Sequence, residues 1–304
     1  MKKASGTKIR SQKPAFMKYF FIYLAILPTF ILPAVFYYVP FVNAFIRSLF
    51  DYNGVTKGVF VGLDNFKELL FTDELFWPSV GRMALMTSVD IVKTTAIAIG
   101  VALIIHRLRN EKAKYFSRVL VVLPAVIPGM VSMLLWKNFV SENGIINEML
   151  TNVGLEQLVH QWLGDEKTVL FTMMFIMGFP WINGANTLIF LAGLMQIDKS
   201  IYESVDLDGI KWWQKIFKIE LPLIMPQVRI IVLMAIIGGI QGYENIQVIT
   251  NGGPGNSSYV PGLILYNNAF RYSRFGYASA VGVVLFFMII GFSILNNRLS
   301  RDKV

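Results

Sequence analysis

The sequence predicts an all-α integral membrane protein with six transmembrane helices and no soluble domain, on three observations. Its 304 residues are 55% hydrophobic and only 15% charged, too few charges to cover a soluble body of that length. Six stretches reach or approach the roughly 20 mostly apolar residues that cross a bilayer. Between them, Lys and Arg gather in alternate segments, the asymmetry of a multi-pass chain.

The first stretch is Tyr19 to Val39, and no charge falls between Lys18 and Arg47. A basic N-terminus ahead of an apolar run also fits a signal peptide, with a cleavage site near Val42-Asn43-Ala44. The run is longer than a usual signal core and contains Pro28 and Pro33, which favours an uncleaved first helix. The second stretch, Met83 to Ile105, holds Asp90 and Lys93 at i, i+3, where opposite charges neutralise each other. The third is Val119 to Trp136 and the fourth Thr168 to Ile197. The fifth, Leu223 to Tyr243, contains Arg229, whose long side chain can reach toward the surface. The sixth is Phe275 to Leu295.

Charge sets the orientation. The tail 1–18 carries Lys2, Lys3, Lys8, Arg10, Lys13 and Lys18. The segment between the second and third stretches carries Arg107, Arg109, Lys112, Lys114 and Arg118, and that between the fourth and fifth carries Lys199, Lys211, Lys215 and Lys218. The tail 298–304 carries Arg298, Arg301 and Lys303. The intervening segments balance base with acid: Lys57 and Lys67 sit among Asp64, Glu68, Asp73 and Glu74, and Lys137 and Lys167 among Glu142, Glu148, Glu156, Asp165 and Glu166. Both termini are therefore expected in the cytoplasm, flanking a membrane domain 19–297. Arg271 and Arg274, on the outer side before the sixth stretch, are the exception.

The formal net charge of +9 does not point to nucleic acid, because the bases flank apolar spans instead of clustering on a soluble face. Without cysteine there are no thiolate metal sites, iron–sulfur clusters or disulfides. His106 and His160 are the only histidines, so no histidine-rich metal site or proton relay is present. The phosphate-binding pattern G-x-x-x-x-G-K-[ST] and the nucleophile pattern G-x-S-x-G are both missing, and no catalytic residue is assigned. Asn256-Ser257-Ser258 matches a glycosylation sequon and reads as an ordinary turn.

The informative segment runs from Asp198 to Pro226. Ile201 to Leu207 suits a short helix that Gly209 ends by adopting a positive φ. Ile210, Trp213 and Phe217 follow at i, i+3 and i+7, an apolar stripe, with Lys211, Lys215 and Lys218 largely on other faces. Pro222 is expected to open the next membrane helix, where its missing N–H costs nothing. Two roles fit such a helix–turn–helix: an interfacial element among lipid headgroups, or a docking element for a cytoplasmic partner. Glu203, Asp206 and Asp208 favour docking, since a helix made for anionic headgroups would not concentrate carboxylates.

This segment resembles the EAA loop of ABC-importer permeases. Glu203-Ser204-Val205 stands at the acidic-small-small triplet, Asp208-Gly209 at the turn, and Ile219-Glu220-Leu221-Pro222 at the end, with the family's spacing from Gly209 to Ile219. Ser204 and Val205 replace two alanines, a departure that bears on close helix packing. Val61-Gly62-Leu63-Asp64-Asn65-Phe66 and Thr250-Asn251-Gly252-Gly253-Pro254 are similar to stretches of sugar permeases related to those for maltose and glycerol phosphate, and Leu123-Pro124 to Pro128 also looks like the family.

The resemblance implies a type I importer permease in a bacterial cell membrane. It implies that residues 198–222 form a coupling helix seated on a cytoplasmic ATPase dimer, through Glu203, Ser204, Asp206, Asp208, Gly209, Trp213, Leu221 and Pro222. Glu203 would pair with a basic residue of the ATPase, and Gly209 would allow the turn. ATP and Mg would be held by that partner, with no cofactor in this chain. A second homologous permease and an extracytoplasmic solute-binding protein complete the expected assembly, with lipid around it.

Two polar clusters suit a sugar path, because carbohydrates are held by amides and aromatic faces. One is Trp181, Asn183 and Asn186 in the fourth stretch; the other is Gln241, Tyr243, Glu244, Asn245 and Gln247 at the end of the fifth. Interhelical hydrogen bonding or interface placement accounts for either equally well. The helix-five face that meets sugar in the maltose relative falls on Ala235, Gly238, Gly239 and Gly242, which either widen the path or let a helix pack closely; packing is favoured. Asn245 is placed next on that face. A proton- or sodium-coupled secondary transporter is a competing reading, which predicts uptake that collapses with the ion gradient. A non-transporting scaffold or sensor is another. Glycerol phosphate or a polyol is an alternative cargo.

Overall fold

The computed structural model describes residues 15–55 and 57–301; the expected basic tail at Lys2, Lys3, Lys8, Arg10 and Lys13, and Lys303 at the other end, lie outside the described residues. The six apolar stretches form helices, but among the described residues only three are single helices long and apolar enough to cross a membrane: Tyr19–Arg47, Phe76–Arg107 and Phe275–Asn296. The second, at 32 residues, is about 48 Å long. It therefore projects beyond a hydrocarbon core of roughly 30 Å.

The other three are broken, and prolines mark each one. The third bends by 85° between Glu111–Val126 and Gly129–Phe139. Ile127 there is extended (φ −76°, ψ 125°), because the ring of Pro128 disfavours the helical region for the residue before it. The fourth stretch is helical to Ile176, opens at Met177 and resumes only as Gly184–Met195. Gly178 and Trp181 have positive φ within that opening, beside Pro180. Trp181 and Asn183 therefore lie in the opening between two helical segments, not on the helix expected there. The fifth span is Met225–Gln241, bent by 69° from the preceding helix Trp212–Leu223. Pro226, not Pro222, occupies its first turn.

The second span is the axis of the bundle. Ala98, Ala102, Leu103 and Ile105 pack with Phe190, Leu191 and Leu194 of the fourth and Ile224 and Ile231 of the fifth. At the opposite end, Leu69, Phe76 and Met83 join Ile240, Ile246, Leu263, Val281 and Leu285. A ten-residue helix, Pro261–Phe270, lies between the fifth and sixth spans and was not expected from the sequence. The first span buries almost nothing within the chain; toward its end Phe41 and Phe45 meet Phe286.

The end away from the 198–222 loop is pinned by polar contacts. Asn65 is buried and donates to the carbonyls of Ser48 and Phe50 at 2.9 and 3.0 Å, so this part of the 61–66 stretch orders the segment after the first span. Arg274 makes a two-pronged contact with Glu68, at 2.8 and 2.6 Å. Arg271 donates to Asn251 at 3.0 Å. The two arginines that break the charge pattern are thus both engaged locally. In the Thr250–Pro254 turn, the Thr250 and Ser258 hydroxyls are 2.7 Å apart. A side chain at Gly252 would run into Tyr259.

The packing expected of the fifth-span glycines holds at Gly239 and not at its neighbours: a Cβ at Gly238 would meet nothing within 4 Å, and one at Gly242 only carbonyls of the span itself. A Cβ at Gly239 would lie 2.3 Å from Thr87 Oγ1 of the second span, so this glycine permits helix contact. Replacing Gly239 with Ala is expected to cost about 1–3 kcal/mol, and Thr87→Gly, which removes all three clashing atoms including the Cβ at 2.8 Å, should restore part of it. Thermal unfolding in detergent of the two single variants and the double variant measures this; no recovery in the double variant contradicts the packing.

Candidate functional site

The 198–223 segment is a helical hairpin. Asp198 starts its first helix, Lys199–Leu207, by accepting from the Ser200 N–H at 2.9 Å. Gly209 turns the chain with φ +63°. A Cβ at Gly209 would meet nothing within 4 Å, so the requirement for glycine there is conformational and not steric. The Gln214 side chain accepts from the Lys211 N–H at 3.1 Å and starts the second helix. Lys215 bridges the two arms to Asp206 at 2.8 Å and sits 4.7 Å from the Tyr202 ring centroid.

The hairpin is fixed to the bundle by a buried charge. Glu220 is 1% exposed. Arg107, at the end of the second span, donates to its Oε2 at 2.7 Å. The Tyr202 hydroxyl is 3.4 Å from the other carboxylate oxygen and equally 3.4 Å from His106 Nε2. Burial, reinforced by the neighbouring Glu220 carboxylate, pushes the Tyr202 phenol up to about 12, so at neutral pH it remains a donor. A cavity of about 380 Å³ opens beside this group, lined by His106, Arg107, Tyr202, Asp206, Ile210, Trp212, Lys215 and Glu220.

The expected coupling residues divide by exposure. Glu203, Ser204, Asp206, Asp208, Gly209, Trp213 and Pro222 are exposed. Leu221 packs against the core around Ile224. The stripe read as one face does not act as one: Trp213 and Phe217 remain 46% and 66% exposed, while Ile216, Glu220 and Leu221 turn inward. The anchoring residues Arg107, His106, Tyr202 and Glu220 were not expected. In the sequence Arg107 is one of the basic residues that set orientation, and Glu220 is one of the four residues that close the loop. The available signal was a carboxylate at the entrance of an apolar helix, which needs a partner.

The two polar clusters are placed differently from expectation. Asn183 caps the helix Gly184–Met195 by accepting from the Asn186 N–H at 3.0 Å. Trp181 donates to the Met177 carbonyl at 3.1 Å. Lys93 lies 5.6 Å from the Trp181 ring centroid and donates to the Met174 carbonyl at 2.8 Å. It also pairs with Asp90 at 3.4 Å, as expected. The fifth span ends at Gln241, and Gly242 is extended (ψ 125°). The helical register from Gly242 to Asn245 is therefore interrupted, and Asn245 belongs to a separate short helix, Glu244–Ile249. Gln241, Gly242 and Asn245 are exposed, and Tyr243 stacks on Tyr266 with centroids 5.2 Å apart. The structure does not join the two clusters by a hydrogen bond among the described residues.

Residues 95–303 match a family model described as the binding-protein-dependent transport system inner membrane component. The multiple sugar-binding transport system permease protein of Streptococcus mutans is 30% identical over 89% of this chain and 92% of its own length. The diacetylchitobiose uptake system permease protein of Streptomyces coelicolor is 29% identical over 96% of this chain and 85% of its own length. A subunit of a bacterial alginate ABC transporter, solved in complex with an alginate pentasaccharide-bound periplasmic protein, superposes with a TM-score of 0.81. It is 23% identical and covers 94% of this chain and 96% of that one.

The burial asymmetry of the anchor gives a prediction. Arg107→Ala strands a buried carboxylate and is expected to destabilise by about 3 kcal/mol. Glu220→Gln leaves a half-exposed guanidinium that water can reach, and is expected to cost about 1 kcal/mol. Thermal unfolding of the two variants in detergent measures the order; a larger loss for Glu220→Gln contradicts the assignment.

Proposed function

Because this chain belongs to the family of binding-protein-dependent transport system inner membrane components, we propose that its 198–223 hairpin is the element through which a cytoplasmic ATPase drives the membrane helices. The observation that carries this reading is the hairpin's division of labour. Its tip presents exposed Glu203, Asp206, Asp208 and Trp213, while its base is locked to the second span through Glu220 and Arg107. A partner that seats on the tip can move the span as a lever. The helix-ending Gly209 sets the angle between the arms.

The chain is the membrane-spanning subunit. ATP binding and hydrolysis belong to a separate ATPase dimer with its Mg. A second homologous permease completes the path, and the first span, largely unburied within this chain, offers surface to that partner and to lipid. A solute-binding protein delivers cargo from outside. Both termini are cytoplasmic, and the basic 107–118 and 199–218 segments share that side.

The cargo is a sugar or oligosaccharide, as in the relatives for multiple sugars and diacetylchitobiose. Trp181, Asn183 and Asn186 at the break in the fourth stretch, and Gln241, Gly242, Tyr243 and Asn245 at the end of the fifth, are assigned to its path. Non-helical backbone at membrane depth is tolerated where it lines a cavity or is buried in protein, which suits a path through the break. Gly239 supports the path by packing on Thr87 and not by touching the cargo.

In the complex reconstituted with its ATPase, Glu203→Ala is expected to lower ATP-driven sugar uptake by about an order of magnitude, the loss of a charged contact at an interface. Gly209→Asn should keep most uptake, and Gly209→Val should lose it, because Asn tolerates the left-handed region and a β-branched residue does not. Uptake by Gly209→Val at the normal rate in an assembled complex overturns the coupling assignment.

A further inference from the structure

A second cavity, about 270 Å³, lies beside the hairpin and carries a different charge pattern. The cavity at Glu220 contains both signs. This one is lined by Lys114, Arg118, Lys199 and His106 with an apolar wall including Met195 and Ile197, and no acid lines it. Arg118 is poorly served there: its Nε is buried without a hydrogen-bond partner, and Nη2 reaches only Met195 Sδ at 3.6 Å. Lys114 has one acid nearby, Glu111 at 2.7 Å, which is itself 79% exposed.

The helix that supplies Lys114 and Arg118, Glu111–Val122, is oriented unusually. Basic side chains at a membrane edge ordinarily reach outward to water and headgroups. Here Lys114 and Arg118 turn toward the protein, while Tyr115 and Phe116 point outward at 71% and 64% exposure. Aromatic residues of this kind sit at the headgroup level of a bilayer. Cations facing inward behind an aromatic outer face, with an unsatisfied buried guanidinium N–H, suit an anion that enters from the membrane side.

We propose that the cavity between Glu111–Val122, Gly184–Met195 and Lys199–Leu207 binds the phosphate of an anionic phospholipid headgroup, with Arg118 and Lys114 as its main ligands and Lys199 at the rim. The apolar wall favours a lipid over a free ion, since it accommodates the glycerol and upper acyl carbons. Basic pockets between membrane helices hold anionic headgroups by this chemistry. Such a lipid would clasp the foot of the hairpin to the third and fourth helical segments, adjacent to Tyr202, which lines both cavities.

The test is native mass spectrometry of the transporter purified with its partner subunits, after reconstitution with phosphatidylglycerol or with phosphatidylcholine. A parallel arm adds inorganic phosphate to the phosphatidylcholine sample. The wild type is expected to retain phosphatidylglycerol, and Lys112→Gln, on the exposed side of the same helix, to match it. Arg118→Gln should bind it roughly fivefold more weakly, and Lys114→Gln with Arg118→Gln weaker again by a similar factor. Where the double variant does not assemble, Lys199→Gln on the exposed rim supplies the comparison, with a loss of roughly two- to fivefold expected. Equal retention by wild type and variants overturns the proposal. Binding of inorganic phosphate in place of lipid overturns the lipid assignment and makes the cavity a soluble-anion site.

Discussion

The ion pair between Arg107 and Glu220 is the constraint on which the arrangement at this end of the molecule depends. A carboxylate with 2% side-chain exposure is strongly disfavoured unless a cation and hydrogen-bond donors surround it. Arg107 can supply them only if the second span ends where it does. Tyr202 can approach only if the first arm of the hairpin folds back over the second. One buried charge therefore ties together three segments: the two arms of the hairpin, and the end of the second span, 113 positions before Glu220. Such pairs are weak sources of net stability, but removing one partner is costly, which makes the geometry specific.

Around this anchor, the spans differ in continuity for reasons set by proline and glycine. The uninterrupted second span carries the packing against the fourth and fifth. The third and fourth stretches are broken at Ile127-Pro128 and around Gly178-Phe179-Pro180-Trp181. Backbone groups freed by such breaks must find partners inside the protein. Lys93 supplies one of them by donating to the Met174 carbonyl, so a charged residue within the second span has a structural duty at the break. The polar residues expected to face a cargo sit at the ends of helices, where one side chain can cap a helix and still present its remaining polar atoms.

Much of this was legible from composition and pattern. The apolar stretches, the alternation of basic segments, the short helix before Gly209 and its positive φ were all readable, because each depends on local chemistry. What was not readable depends on distance. Glu220 and Arg107 are separated by 113 positions, and nothing local distinguishes a buried charge from a topology signal. The apolar stripe Ile210, Trp213 and Phe217 assumed an α-helical period, but the backbone widens over Ile216–Glu220, which rotates Glu220 and Leu221 inward and leaves Phe217 out. The same limit applies to Asn245, whose expected register failed because Gly242 leaves the helix. The Gly239 contact depended on which face of the fifth span meets Thr87, information held in the packing alone.

In the proposed coupling the hairpin moves with the second span because Arg107 holds Glu220. Its most direct measurement is the ratio of sugar imported to ATP hydrolysed by the reconstituted transporter carrying Arg107→Ala, in complexes verified to be assembled. The account predicts that ATP hydrolysis continues while uptake falls, so the ratio drops well below the wild-type value. An unchanged ratio, with uptake and hydrolysis rising or falling together, would contradict it.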